Sequence, residues 1–240
     1  MLQSESAAWC IGAKALHFNE TSMKPLFTLG NTLLKGVRPR PVSGDALPRI
    51  ALPAPGRSGG RPLMEAFALR RTRREFASAE LPDVLLGDLL WAANGINRPD
   101  EGGRTAPSAL GVHEIDIYAV LARGLNLYEP RAHALELVAA QDLRGLTGYQ
   151  DFAGEAPLDL VYVANVSRMR EIPASQRDIF AAACAGAIVQ NVYLFCASAG
   201  LSVAARGWFN RSVLAEHMRL SRERLPVLAQ TVGYPAHPDA

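Results

Sequence analysis

The chain has 240 residues, 49% of them hydrophobic, which is enough for one substantial core, so a single domain preceded by an arm is expected. A formal charge of only +2 gives no electrostatic case for nucleic acid or a membrane surface as a partner. Cys10, Cys184, Cys196 and five dispersed histidines make no C-x-x-C or Cys/His cluster. This argues against a disulfide framework or a zinc site and for a reducing, cytoplasmic setting.

Residues 1–35 carry little information and read as an extension, helical or poorly ordered. The apolar stretch 7–13 follows Glu5 without a basic segment, so it is a poor signal peptide, and a start at Met23 would give only a weak imitation of an export signal. Residues 36–62 are dense in Pro and Gly and read as a linker without a packed element. The expected division is an extension over 1–55 and one domain over 56–240. Pro62 opens a first helix with Leu63, Phe67 and Leu69 as its apolar side, ending at Arg70. Pro82 and Asp83 open a second, with Val84, Leu85, Leu89 and Trp91 or Ala92 at helical spacing, and Gly95 is expected to end it in the left-handed conformation.

Residues 114–121 alternate as a strand, with Ile115, Ile117, Ala119 and Leu121 on one face, and Arg123-Gly124 turns into a hairpin partner over 125–128. Residues 133–140 look helical. A short apolar strand is expected over 158–164, then a long helix over 178–199 capped by Gly200, and a strand over 201–205. The stretch 179–200 is long enough to suggest a membrane span. Gln190 and Asn191 at its middle and its many Ala and Gly residues favour a buried helix packed closely against another helix. Asn210 or Ser212 caps a further helix through Leu220, and 226–232 closes the chain as a strand. Helices and hairpins in this order, without regular βαβ alternation, predict an α+β fold with a central, mostly antiparallel sheet flanked by helices.

Three segments carry candidate chemistry. The first is Arg70-Arg71-Thr72-Arg73-Arg74-Glu75-Phe76, where four guanidinium groups and a hydroxyl can engage a phosphate, with Arg70, Thr72 and Arg74 on one side if the chain is extended. A solvated basic turn accounts for the run equally well when it is taken alone. No lysine follows Lys35, so any anion site beyond it is built from arginine and backbone N–H groups. The second is Gly102-Gly103-Arg104-Thr105-Ala106-Pro107-Ser108-Ala109, whose small residues permit close approach of a planar ligand, although an ordinary loop reads the same way. The third runs from Gly200 to Trp208, where Arg206-Gly207 ends a strand and glycine leaves a backbone N–H open to a bound ring. Trp208 alone reads as a core or interface residue. No Rossmann fingerprint, Walker loop or nucleophile elbow is present.

Together these segments resemble the nitroreductase superfamily of FMN-dependent oxidoreductases, nearest its SagB-type dehydrogenase branch. The resemblance runs over about 52–235. It rests on the Arg-Arg-Thr-x-Arg-x-Phe run, Leu89-Leu90-Trp91-Ala92-Ala93-Asn94-Gly95, Arg104-Thr105-Ala106-Pro107-Ser108-Ala109, Gln190-Asn191-Val192-Tyr193-Leu194 and Gln230-Thr231-Val232-Gly233-Tyr234-Pro235. It implies a homodimer with two FMN sites at the subunit interface and a small-residue dimer helix over 181–199. By motif, Arg70, Thr72 and Arg74, helped by Arg71, would hold the phosphate and pyrimidine side of FMN. Pro107, Ser108 and Ala109 would contact the flavin of the partner subunit, and Arg206 and Gly207 would face its reactive edge, with Gly207 donating its N–H.

Three positions depart from the pattern. Gly111 stands where relatives often have asparagine, and His113 near where they have glutamine. The chain ends Ala-His-Pro-Asp-Ala, without a basic phosphate ligand. The Lys-Tyr pair of azoline oxidases has no lysine here, which disfavours an azoline substrate. The resulting expectation is a flavin enzyme passing hydride or electrons from NADH, NADPH or an organic donor to a small molecule such as a nitro compound, quinone or enone. The alternatives are a SagB-type dehydrogenase acting on a peptide or other specialised substrate, and a non-catalytic flavin-binding protein. The flavin carries the chemistry, so no acid–base residue is required. Arg206 and Tyr149 are candidates for substrate contact, with a structural role the more frequent one for such residues. No metal, nucleic acid or membrane is expected as a partner.

Overall fold

The computed structural model describes residues 48–237. The expected extension over 1–35, the Met23 start, the apolar stretch 7–13, Cys10 and the linker residues before 48 lie outside the described residues, as do 238–240. Nine strands and five α-helices are named in chain order. They are β1 (Arg49–Ala51), α1 (Leu63–Leu69), α2 (Asp83–Asn94), β2 (Ile96–Arg98), β3 (Gly103–Arg104), β4 (Ile115–Leu121), β5 (Gly124–Glu129), β6 (Ala134–Ala139), α3 (Phe152–Glu155), β7 (Leu158–Asn165), α4 (Ala174–Ala199), β8 (Ser202–Arg206), α5 (Arg211–His217) and β9 (Arg224–Gly233).

Seven strands form one antiparallel sheet in the order β1-β6-β5-β4-β7-β9-β8, and β2 and β3 pair separately. All of β7 is buried, because β4 and β9 flank it and both of its faces are covered. Its near-continuous apolar sequence follows from that position. On one face Ile115, Ile117, Leu160 and Tyr162 pack with Leu86, Leu89 and Leu90 of α2 and Ile188, Val192 and Cys196 of α4. On the other, Tyr118, Val120, Val161 and Val163 pack with Phe209, Leu214 and Met218 around α5. The α+β reading and the antiparallel sheet hold.

Among the described residues α4 is the one helix long and apolar enough to cross a membrane. It lies against α1, α2 and the sheet, and Gly200 closes it at φ 72°, with its N–H donating to the Cys196 carbonyl. The left-handed conformation there favours glycine.

Four local expectations change. Residues 134–139 form a strand rather than a helix. Ala-Leu-Glu-Leu-Val-Ala suits a helix by propensity, but pairing with β5 on one side and β1 on the other overrides it. Gly95 is extended (φ −74°, ψ 167°) rather than left-handed, since the chain runs directly into β2. Glycine is needed there for space, because a Cβ would lie 2.7 Å from the Trp91 Cα. The 36–62 stretch contains packed residues: β1 adds to the sheet and Leu52 is buried in the core. The expected apolar side of α1 is not covered among the described residues, where Leu63 is 61% and Phe67 46% exposed and only Ala66 of the helix is buried.

A buried ion pair crosses the sheet. Arg206 on β8 reaches over Thr231 on β9 to Asp159 on β7, its Nη2 donating to Asp159 Oδ1 at 2.6 Å. Nη2 also donates to Thr147 Oγ1 at 2.9 Å, and Nη1 donates to Thr231 Oγ1, which donates in turn to Asp159. The two charged side chains are 3% and 0% exposed. Burial pushes the Asp159 carboxyl upward, while Arg206 and the two hydroxyls pull it back. Arg206→Met should therefore lower the unfolding free energy in urea by about 3–5 kcal/mol, by leaving a buried carboxylate unpaired. Joint replacement, Asp159→Leu with Arg206→Met, should recover much of that loss. A single variant as stable as the parent would show that the pair does not hold the sheet.

Candidate functional site

The arginine run begins where α1 stops. Arg70 N–H still donates to the Ala66 carbonyl at 2.9 Å, but its ψ of 117° takes the backbone out of the helix. From there the segment lies along the outer edge of the sheet: Arg73 N–H donates to the Val203 carbonyl of β8 at 3.0 Å. Phe76 bridges to Pro235, and Ala77 N–H donates to the Tyr234 carbonyl at 2.9 Å. Backbone pairing thus holds four guanidinium groups between β8 and the chain that leaves β9.

Tyr193 on α4 fixes the inner side of this segment. Its hydroxyl accepts from Ala205 N–H at 3.0 Å and lies 2.9 Å from Thr72 Oγ1, while the Arg70 guanidinium sits 5.4 Å from the ring centroid. A tyrosine in an apolar helix needs a partner for its hydroxyl, and this one ties helix, strand and run together. Tyr193 belonged to a recognised motif without a role; its isolated hydroxyl among apolar neighbours was the available signal.

The expected grouping of Arg70, Thr72 and Arg74 divides. Thr72 and Arg74 line a cavity of about 380 Å³ with Arg71, Arg73, Glu75, Ser202 and His237, whereas Arg70 lies over Tyr193 outside that lining. Ser202 is fully buried, and its Oγ has no hydrogen-bond partner among the described residues. A buried hydroxyl left so loses hydration without compensation unless a ligand supplies it. Arg71 and Arg73 also line a smaller recess of about 180 Å³ beside Gly200 and Leu201.

Arg206 and Gly207 follow on β8. The Arg206 side chain turns into the sheet toward Asp159, so only its backbone is left to face a ligand. Gly207 is exposed, its φ is not in the left-handed region, and a Cβ would meet Leu228 Cδ2 at an ordinary 3.5 Å. Nothing among the described residues requires glycine there. Tyr149 and Trp208 lie edge to face, ring centroids 5.9 Å apart.

Pro107, Ser108 and Ala109 are not brought to the arginine run. Ser108 Oγ donates to Glu114 Oε2 at 2.6 Å and accepts from His113 N–H at 2.7 Å, closing the loop on itself. Leu110, Gly111 and His113 in this loop have φ of 52°, 68° and 50°. The loop lies by Cys184, whose thiol is pushed up to about 11 by burial and the neighbouring Glu114. Nine positions separate Cys184 from Tyr193, roughly 14 Å along α4. Both Cys184 and Cys196 are buried free thiols, and burial raises the latter also. Among the described residues no group of three or more His, Cys, Asp or Glu is placed to hold a metal ion.

Comparison with known proteins agrees with this architecture. A crystal structure of a provisionally assigned nitroreductase from Ralstonia eutropha JMP134 is 53% identical, superposes with a TM-score of 0.78, and is matched over 85% of this chain and 97% of that one. A protein of Methanocaldococcus jannaschii, provisionally named a nitroreductase, is 26% identical over 181 residues, 71% of this chain and 90% of its own. The fold is also that of the NADPH:FMN oxidoreductase of Vibrio harveyi, solved with NAD+, at 17% identity and a TM-score of 0.55 over 73% of this chain and 70% of that one. The model of the nitroreductase family matches residues 68–234, which contain the arginine run, the 107–109 loop, α4 and all of β4 to β9; the chain belongs to that family of oxidoreductases.

Proposed function

We propose that the chain binds FMN at the arginine run and transfers hydride or electrons from a reduced nicotinamide, NADH or NADPH, or from an organic donor to a small-molecule acceptor such as a nitro compound, quinone or enone. The observation that carries this reading is the cavity of about 380 Å³ at the run, whose lining brings Arg71, Thr72, Arg73 and Arg74 together with Ser202. Three guanidinium groups, the Thr72 hydroxyl and the Ser202 hydroxyl form a donor set suited to a phosphate, with arginine supplying paired N–H groups. Arg70 would support the pyrimidine side of the cofactor from its position over Tyr193. The vacant space at Gly207 fits close approach of a flat ring to the backbone. When bound, FMN supplies the redox chemistry; the protein holds it, orients it and excludes water. A reduced nicotinamide donor would be met in the cytoplasm, which is where we place the activity.

We further propose that two copies complete each site. Pro107, Ser108 and Ala109 would reach the cofactor held by the other subunit, which agrees with their distance along α4 from Tyr193. The exposed apolar residues Leu63, Met64 and Phe67 of α1 and Ile179 of α4, together with Ala182 and Ala183, supply a surface for that association. The motifs in their order, the Arg-Arg-Thr-x-Arg-x-Phe run among them, resemble the SagB-type branch, whose specialised substrates are a second reading. The absence of lysine after Lys35 disfavours azoline oxidation within it.

Three outcomes are expected. Arg70→Ala with Arg74→Ala should yield folded protein whose FMN affinity falls about 100-fold or more, two charge-assisted contacts together being worth about 3 kcal/mol or more. Flavin absorbance retained at the parental affinity would place the phosphate elsewhere. Ser202→Ala should leave the flavin-free protein as stable in urea, since no bond is lost, and weaken FMN about three- to tenfold. Equal affinity would remove the hydroxyl from the site. Light scattering should give a dimer, and a clean monomer would contradict the two-chain site.

A further inference from the structure

Two aromatic rings lie exposed beside Gly207, and the segments that carry them are unusually well fixed. Trp208 is 70% and Tyr149 50% exposed, and they meet edge to face at an interplanar angle of 74°. A single exposed aromatic is ordinary on a protein surface. Here the two come from segments 59 positions apart, both anchored by one buried guanidinium. Arg206 Nε donates to the Thr147 carbonyl at 3.4 Å and Nη2 to its hydroxyl at 2.9 Å, which pins the loop carrying Tyr149. The loop presses so closely on Arg206 that a Cβ at Gly148 would lie 2.6 Å from Nε. On the other side of the guanidinium, Phe152 packs 5.3 Å from its carbon and stacks against Phe76 of the arginine segment. Arg211 secures the Trp208 side by donating to the Gly207 carbonyl at 2.9 Å.

We propose that Tyr149 and Trp208 form a stacking platform for an electron-poor planar aromatic molecule, a quinone or a nitroarene, and so determine which acceptors the protein prefers. This rests on the reading above that puts the reactive edge of the cofactor at Gly207, the residue next to Trp208. An indole face carries negative charge density and attracts an electron-poor ring in offset stacking. Tyr149 and Trp208 meet at 74°, which holds the indole at a set angle. Because both backbones are tied to a buried ion pair, the rings are ordered before the ligand arrives, and little motion is lost on binding. Arg206 is a positioning residue in this arrangement, acting through Thr147.

The experiment is calorimetric titration of the oxidised, FMN-reconstituted protein with 1,4-naphthoquinone, without an electron donor, and with cyclohexanone as the aliphatic control. Trp208→Ala and Tyr149→Ala should each weaken naphthoquinone about three- to tenfold, leave cyclohexanone unchanged and leave FMN content unchanged, while Trp208→Phe restores most of the affinity. Naphthoquinone should also quench a fluorescence component that Trp208→Phe removes. Parental naphthoquinone affinity in Trp208→Ala, with FMN bound, overturns the platform and leaves the flavin reading intact. Protein that binds no FMN yet shows the Trp208-specific quenching overturns the flavin reading and supports the platform. If a second copy of the chain covers the indole instead, Trp208→Ala will shift the dimer in light scattering without changing naphthoquinone affinity, which also overturns the proposal.

Discussion

The Arg206–Asp159 pair is the constraint on which most of this molecule turns. Two charges, one on the edge strand β8 and one on β7, meet across the intervening strand β9, where water cannot reach them. Such a pair contributes little net stability compared with well-packed apolar side chains, but separating it is costly, so its geometry is strongly determined. Arg206 has donors left over after Asp159, and they bind Thr147 and Thr231. Through Thr147 the guanidinium governs a loop, and through Phe152 and Phe76 it is in contact with the segment that carries the arginines. One buried cation thus sets the positions of the aromatic pair, the end of β8 and the beginning of the proposed phosphate site relative to one another.

The arginine run shows how a highly charged sequence is given a fixed form. Four neighbouring cations repel each other and would favour a loose, solvated turn. Backbone pairing with Val203 and Tyr234 holds the segment extended, and Tyr193 fastens it from within by a hydroxyl and a ring face. Held extended, the run lays Arg71 to Arg74 along the larger cavity, and Arg71 and Arg73 also border the smaller recess. The cation count follows from the sequence, while the division between recesses follows from the edge strand it lies against.

In the two-chain reading the proposed site is shared between subunits for a related reason. Its two groups of residues lie toward different ends of α4, and a rigid helix cannot bring them together. The helix is rich in Ala and Gly and leaves Ile179, Ala182 and Ala183 exposed, which suits close packing against a second helix. Apolar side chains of α1 exposed nearby in sequence to the arginine run have the same explanation in the two-chain reading.

The sequence by itself determined the strands and helices whose pattern is local and strong: α2, β4 with its hairpin partner, β7, the long α4 with its glycine cap, β8 and β9. It also determined that anion binding beyond Lys35 falls to arginine, and the order of motifs made the family legible. It misread β6, because Ala, Leu and Glu are good helix formers and only pairing with β5 and β1 makes them a strand. It missed β1 inside a proline-rich stretch, since an edge strand of three residues draws its stability from its neighbour. Arg206 was expected at the site, but the direction of its side chain, into the sheet, was not legible. That depended on a carboxylate 47 positions away, brought opposite by the register of three strands. The exposed Trp208 was likewise read as core or interface, because nothing local distinguishes an indole that packs inward from one held at the surface. Local pattern decides which elements form, whereas burial, register and the pairing of distant charges are properties of the assembled sheet, and these place the chemistry.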